Sequence, residues 1–145
     1  MTMPPKTTKT AKTTKGGRYF EATGRRKNAV ARVRLHAVKS GSSVVINDKE
    51  LTKYFPVEKQ RRVVLAPFEA LSMKEYEVTV KVLGGGVAGQ ADAIRLGIAR
   101  ALVLMNPVWR TPLKVLGYLK RDPRMVERKK PGLRKARRPQ QWRKR

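Results

Sequence analysis

All ten carboxylate side chains of this chain lie between Glu21 and Glu127, whereas lysines and arginines occur throughout its 145 residues. That partition limits which parts can fold. Residues 19–127 carry twenty basic and ten acidic residues, the balance of a folded body. Residues 1–18 carry five basic and no acidic residues, and residues 128–145 carry ten basic and none acidic. Segments with charge of one sign and little to bury cannot offset the entropy lost on ordering, so both flanks read as arms on a single domain of ordinary size. The first, MTMPPKTTKTAKTTKGG, is a low-complexity Lys/Thr repeat, expected to be disordered when free; an organelle transit peptide, which favours Arg and Ser, fits it less well. In the last, RKKPGLRKARRPQQWRKR, Pro131 and Pro139 favour extension over helix. Fully extended at roughly 3.3 Å per residue, it spans at most about 60 Å.

A net charge of +25 repels itself unless a polyanion supplies counter-charge, so nucleic acid or an anionic membrane is the first partner to consider. The absence of cysteine excludes disulfides, zinc knuckles and thiol chemistry, and the single histidine, His36, leaves little for metal binding. Apolar runs such as Ala101 to Met105 are far shorter than a membrane span, and the first residues lack the apolar core of a secretory signal. A soluble chain in a reducing compartment is expected.

Hydrophobic periodicity within the body predicts a mixed fold. Ala29, Ala31, Val33, Leu35 and Ala37 alternate with Arg32, Arg34 and His36 across Ala29 to Val38, the pattern of a half-buried strand with a cationic outer face. Tyr19 to Thr23 reads as its partner strand, with Gly24-Arg25-Arg26-Lys27-Asn28 as a basic connection. Val44-Val45-Ile46 is a short apolar run, and Tyr76, Val78, Val80 and Val82 alternate with Glu77, Thr79 and Lys81. Helices are expected from Pro56 toward Phe68, broken or kinked at Pro67; over Gln90 to Met105, with Gly97 marking close packing and Asn106-Pro107 the stop; and over Pro112 to Leu116, capped by Thr111 and stopped by Gly117. The predicted class is α+β, a mixed sheet covered by helices on one face, with extended basic tails.

Gly84-Gly85-Gly86-Val87-Ala88-Gly89 satisfies G-x-G-x-x-G between a predicted strand and a predicted helix. No acidic residue follows Asp92 until Asp122, so the carboxylate that binds ribose about twenty residues on is missing. Two readings remain: a loop that avoids side-chain clashes, or one that exposes backbone N–H groups for close approach of a polyanion to a helix N-terminus. Catalytic chemistry has little support. His36 shares a face with Arg32 and Arg34, Glu75 and Glu77 read as solvated strand charges, and Ser40, Ser42 and Ser43 fall in a Gly/Ser turn without an activating base.

Three separated groups of residues carry a resemblance. They are Thr23-Gly24-Arg25-Arg26-Lys27-Asn28-Ala29-Val30-Ala31-Arg32-Val33; then Gly84-Gly85-Gly86 with Gly89-Gln90-Ala91 and Ile98-Ala99-Arg100-Ala101-Leu102; then Arg121-Asp122-Pro123-Arg124, Val126-Glu127-Arg128-Lys129-Lys130 and Gly132-Leu133-Arg134-Lys135-Ala136-Arg137-Arg138. In this order, from about Tyr19 to Arg145, the chain resembles the small-subunit ribosomal protein S-nine family of bacterial type. The resemblance implies an α+β domain like the second domain of ribosomal protein S-five, placed in the head of the small subunit on 16S-type ribosomal RNA beside neighbouring head proteins. It also implies a C-terminal tail that threads through the RNA to the anticodon stem-loop of transfer RNA in the peptidyl site. Two departures stand out. The family commonly ends Ser-Lys-Arg, whereas Trp142-Arg143 precede Lys144-Arg145 here, and the Lys/Thr arm exceeds the family core.

The expected ribosomal-RNA contacts are therefore Arg25, Arg26, Lys27, Arg32, Arg34, Gly84, Gly85, Gly86, Gly89, Gln90, Arg121, Arg124, Arg128, Lys129, Lys130, Arg134, Lys135, Arg137 and Arg138. Arg143, Lys144 and Arg145 are expected to meet transfer RNA, with Trp142 free to stack on an exposed base. No cofactor, metal, small-molecule substrate or membrane enters this expectation, and the location expected is the small subunit of a cytoplasmic ribosome, with an organellar ribosome as the alternative. An RNA-processing enzyme, a free DNA-packaging protein and a membrane-active cationic protein are the rival classes, in that order; the chain shows no coherent acidic cluster for the first and no long basic amphipathic helix for the last.

Overall fold

The computed structural model describes residues 19–36 and 41–142. The Lys/Thr arm, the end of the predicted strand at Ala37 and Val38, Ser40, and Arg143, Lys144 and Arg145 lie outside them.

Alternation produces strands where it was expected. The elements run β1 (Tyr19–Arg26), β2 (Ala29–His36), β3 (Ser42–Ile46), β4 (Lys49–Glu50), α1 (Leu51–Tyr54), α2 (Glu58–Ala70), β5 (Tyr76–Leu83), α3 (Val87–Met105), a 3-10 turn (Pro107–Trp109) and α4 (Arg110–Val115). The strands form one five-stranded sheet in the order β1-β2-β5-β3-β4. It is mixed, because β3 runs parallel to β5 while the β1–β2, β2–β5 and β3–β4 pairs are antiparallel. Ser42 and Ser43 belong to β3 rather than to a turn, since they pair with Tyr76 and Glu77 and so lengthen the parallel ladder beyond the apolar run.

One sheet face is apolar and covered. Ala29, Ala31, Val33, Leu35, Val44, Ile46, Val78, Val80 and Val82 are buried, and across from them lie Ala91, Ala93, Ile94, Ile98, Ala101 and Leu102 of α3 with Val64 and Phe68 of α2. The other face carries Arg25, Arg32, Arg34, Lys81 and Glu21 and, among the described residues, has no layer over it. The fold is thus α+β with helices on one side of a mixed sheet, as the periodicity implied.

Three local expectations change. First, the β1–β2 connection is only Lys27-Asn28, with Lys27 in the left-handed region (φ 50°), so Gly24, Arg25 and Arg26 are strand residues. Gly24 looked like a turn glycine, but it is a packing glycine: a Cβ there would lie 1.8 Å from the Ala93 carbonyl oxygen and 2.6 Å from the Gly97 nitrogen. Gly97 answers it from the helix, where a Cβ would come within 2.6 Å of Val33 Cγ2. Second, α2 runs through Pro67 to Ala70. Proline forfeits one helical hydrogen bond, but here Pro67 and Phe68 are both buried, and the Phe68 ring stacks on Tyr76 at 3.9 Å between centroids. Third, α3 begins at Val87, a turn earlier than expected, and Thr111 sits inside α4 rather than capping it. Gly117 does end α4, at φ 74°.

Candidate nucleic-acid interface

At one end of the sheet the β1–β2 turn, the glycine loop and the N-terminus of α3 converge. Gly84 and Gly85 adopt φ values of 70° and 69°, and a Cβ on them would come within 2.6 Å of the Asn28 carbonyl oxygen and 2.9 Å of the Ala29 nitrogen, respectively. These two glycines therefore exist to seat the loop against the turn. Gly86 differs, since a Cβ there meets nothing within 4 Å, and it precedes α3 without any side-chain cap. Gly89 is buried beside the turn, with ordinary room for a Cβ, 3.6 Å from the Arg26 carbonyl oxygen. Gln90 braces the loop: its Nε2 donates to the Gly84 carbonyl (3.1 Å), while the Tyr54 hydroxyl donates to its Oε1 (2.9 Å). Gln90 thus has internal partners besides any RNA role.

The sheet order and the antiparallel partners of β2 and β5 rule out a doubly wound dinucleotide site here. What the loop does offer is the uncapped N-terminus of a 19-residue helix, whose free N–H groups and dipole favour an anion; at the same end of the sheet Lys27 is exposed in the β1–β2 turn and Arg25 is exposed on the open face.

Arg26 stands apart from its neighbours. Its side chain is only 14% exposed and is fully occupied internally. It lies 3.1 Å from Asp122 Oδ2 and 3.6 Å from Asp92 Oδ2, and its Nη1 donates to the Arg124 carbonyl at 2.8 Å and to the Asp122 carbonyl at 3.4 Å. Asp122 also accepts from the Arg124 guanidinium (2.8 Å) and from the Arg124 backbone N–H (2.9 Å), which together hold its carboxyl well below the usual carboxylate range. The carboxylate therefore stays ionised through the pH range in which an ordinary Asp becomes protonated.

On the open face Arg32 and Arg34 are not bare cations. Both bind Glu21, through Oε1 and Oε2 at 2.9 Å each, and these hydrogen bonds lower the Glu21 pKa. Arg34 also lies 5.0 Å from the centroid of the Tyr19 ring. The register sets Glu21 opposite Arg34 and Lys81 opposite Arg32. With the connection placed at Lys27-Asn28, residue spacing alone gives the Glu21–Arg34 pair; placed at Gly24 to Asn28, it hides it. Lys81, absent from the expected contacts, extends the cationic row of this face.

After α4 the chain returns along α3 and β1. The Arg95 guanidinium lies 5.4 Å from the Tyr118 ring, Leu119 packs at the edge of the core, and Asp122 and Arg124 reach Arg26, so the tail is rooted at the same end as the glycine loop. Arg121, just before this root, and Arg128, Lys129, Arg134, Lys135 and Arg138, beyond it, are exposed with no ion-pair partner among the described residues, while Lys130 and Arg137 both bind Glu127, at 3.0 and 2.8 Å. The tail is not uniformly extended. A bridge between Leu133 and Pro139 and a 2.8 Å bond from Arg134 N to the Arg138 carbonyl close a short loop, which reduces its reach below the fully extended bound. Trp142 is 89% exposed.

Among the described residues, no helix is long and apolar enough to cross a membrane. A body with the exposed Arg25 and Lys27 at the same end as an uncapped helix N-terminus, continued by a basic tail, has the features expected of an RNA-binding structural protein. More particularly, residues 24–145 match the family model described as Ribosomal protein S9/S16, and the chain belongs to that family. It is accordingly a ribosomal protein of the small subunit that binds ribosomal RNA and serves translation, in a family that is structural rather than enzymatic. The match starts at Gly24 and takes in the whole basic tail.

Proposed function

We propose that this chain is the S-nine member of its family, of bacterial type, and that it sits in the head of a cytoplasmic small subunit on 16S-type ribosomal RNA, next to other head proteins. The glycine-loop end docks on the RNA backbone. Arg25 and Lys27 neutralise phosphates, the α3 N-terminus receives another, and Gly86 keeps the approach free of side chains. The open face with Arg32, Arg34 and Lys81 flanks this contact. Residues 128–145 continue along the RNA, and Arg143, Lys144 and Arg145 hold the anticodon stem-loop of peptidyl-site transfer RNA without reading its sequence. That suits a site which must accept every transfer RNA.

The observation that best supports this reading is the convergence of the exposed Arg25 and Lys27, the uncapped α3 end and the root of the tail on one edge of the sheet. The test is competitive incorporation into small subunits. Arg25→Ala combined with Lys27→Gly, which preserves the left-handed turn, should be outcompeted by the parent chain, and its affinity, lower from the start, should fall less steeply as salt is raised because fewer phosphates are neutralised. Equal incorporation of variant and parent at every salt concentration would remove this edge from the binding surface.

A further inference from the structure

Arg26 is the basic residue of the β1–β2 edge least suited to meet a phosphate. It is largely shielded, it donates to two carbonyls, and the carboxylates of Asp92 and Asp122 beside it would repel an incoming anion. The chain surrounding it is organised as a strap. Tyr118 against Arg95 and the partly buried Leu119 fasten one end, and Arg95 is itself tied to Asp92 at 3.3 Å. At the other end Asp122 folds back on the N–H of Arg124 across Pro123, a turn whose geometry the proline ring and the short carboxylate side chain both favour, and this turn presents the Asp122 and Arg124 carbonyls to Arg26. Among the described residues, the hydrogen bonds and ion pairs of Met125 to Gln140 stay within the tail. The Arg26 contact is therefore the last polar attachment to the body ahead of that stretch.

We propose that Arg26 and Asp122 form a clip that fixes where and in which direction the basic C-terminal segment leaves the body, making them positioning residues for its RNA contacts. An exposed Arg–Asp pair contributes little by itself. This one differs because Arg26 is shielded and anchored by Asp92, and because it also satisfies two backbone carbonyls of an irregular segment. The value of such a clip lies in preorganisation, since a tail launched from one point loses less freedom on meeting its RNA path. This inference rests on the reading that the tail binds RNA, but the clip can be measured without it.

The chain lacks cysteine, so spin labels can be placed cleanly at Lys59→Cys in α2 and Lys129→Cys in the tail of the full-length protein. With the clip closed, five residues of free chain separate Arg124 from the tail label, giving an r.m.s. reach of about 12 Å for a flexible segment; with the clip open the free chain begins after Leu119 and the reach grows to about 17 Å. Asp122→Ala and Arg26→Ala should each broaden the interlabel distance distribution accordingly, and the double variant should broaden it no further than either single change. Thermal unfolding should be little altered in Asp122→Ala, whose side chain lies outside the core. A distribution in Asp122→Ala as narrow as the parent's would overturn the clip, whatever becomes of Arg26→Ala. Cleavage of ribosomal RNA by an iron chelate tethered at Lys129→Cys should be confined to a few positions in the parent particle and spread in Asp122→Ala. An absence of tail-directed cleavage in the parent would count against the RNA reading of the tail and leave the clip standing.

Discussion

Gly24→Ala should destabilise the body by on the order of 3 kcal/mol, the upper range for overpacking a well-filled interior. The added methyl would sit 1.8 Å from the Ala93 carbonyl oxygen and 2.9 Å from its carbon, both backbone atoms of α3 that no rotamer change can move aside. Relief requires β1 and α3 to separate, which opens the interface where Ala22, Ala93, Gly97 and Val33 meet. It also strains the Arg100 hydrogen bond to the Thr23 carbonyl (2.9 Å), which covers part of the β1 edge. Against a total stability of about 5–15 kcal/mol for a domain, a loss of this size is large. Gly86→Ala is the control. Its Cβ meets nothing, its backbone is extended, and replacing Gly by Ala at a helix N-cap costs at most about 1 kcal/mol. Denaturant unfolding of the two variants beside the parent distinguishes them. Equal midpoints would mean that the glycine is not needed for the β1–α3 approach.

The second large effect concerns the tail. Deleting Trp142 to Arg145 should leave subunit assembly largely intact, because the body, the glycine-loop edge and the Arg26–Asp122 clip all lie before it. Transfer RNA affinity in the peptidyl site should fall by on the order of tenfold or more, the loss expected when charge-assisted contacts from Arg143, Lys144 and Arg145 disappear. The salt dependence of transfer RNA binding should weaken as well, its slope falling by roughly two to three if three phosphates lose their partners. Filter retention of transfer RNA on reconstituted subunits over a salt series measures both quantities. Unchanged affinity with an unchanged slope would show that these residues do not meet the transfer RNA.

Much of the architecture is legible in the chain because burial on one face imposes a period. The alternation through Ala29, Ala31, Val33 and Leu35, and again through Val78, Val80 and Val82, gives the strands and their covered side directly, and Ile94, Ile98, Ala101 and Leu102 give the helix that covers them. Glycine and proline misled the local reading, because each serves more than one purpose. Gly24 and the glycines after Leu83 carry the same letter, yet Gly24 makes room for a helix, Gly84 and Gly85 supply left-handed turns, and Gly86 has no internal reason to be small. Pro67 reads as a break or a kink, yet the helix continues past it to Ala70 with Pro67 and Phe68 buried. The candidate site was legible as a set of charges but not as a set of roles. Nothing in the composition of Arg25-Arg26-Lys27 shows that the middle side chain turns inward to Asp92 and Asp122, contacts that lie far along the chain and exist only after folding. Glu21 was similarly hidden until the two-residue turn fixed the hairpin register.

Tethered iron-chelate cleavage from two positions in the reconstituted small subunit, with transfer RNA in the peptidyl site, tests the proposed placement most directly. Val87→Cys puts the probe at the exposed first residue of α3, and Gln140→Cys puts it late in the tail without removing a charge. The expected result is a compact set of cuts in 16S-type ribosomal RNA from position 87, and cuts from position 140 that include the anticodon stem-loop of the bound transfer RNA. Incorporated protein that cuts no ribosomal RNA from position 87, or leaves the stem-loop uncut from position 140, would contradict it.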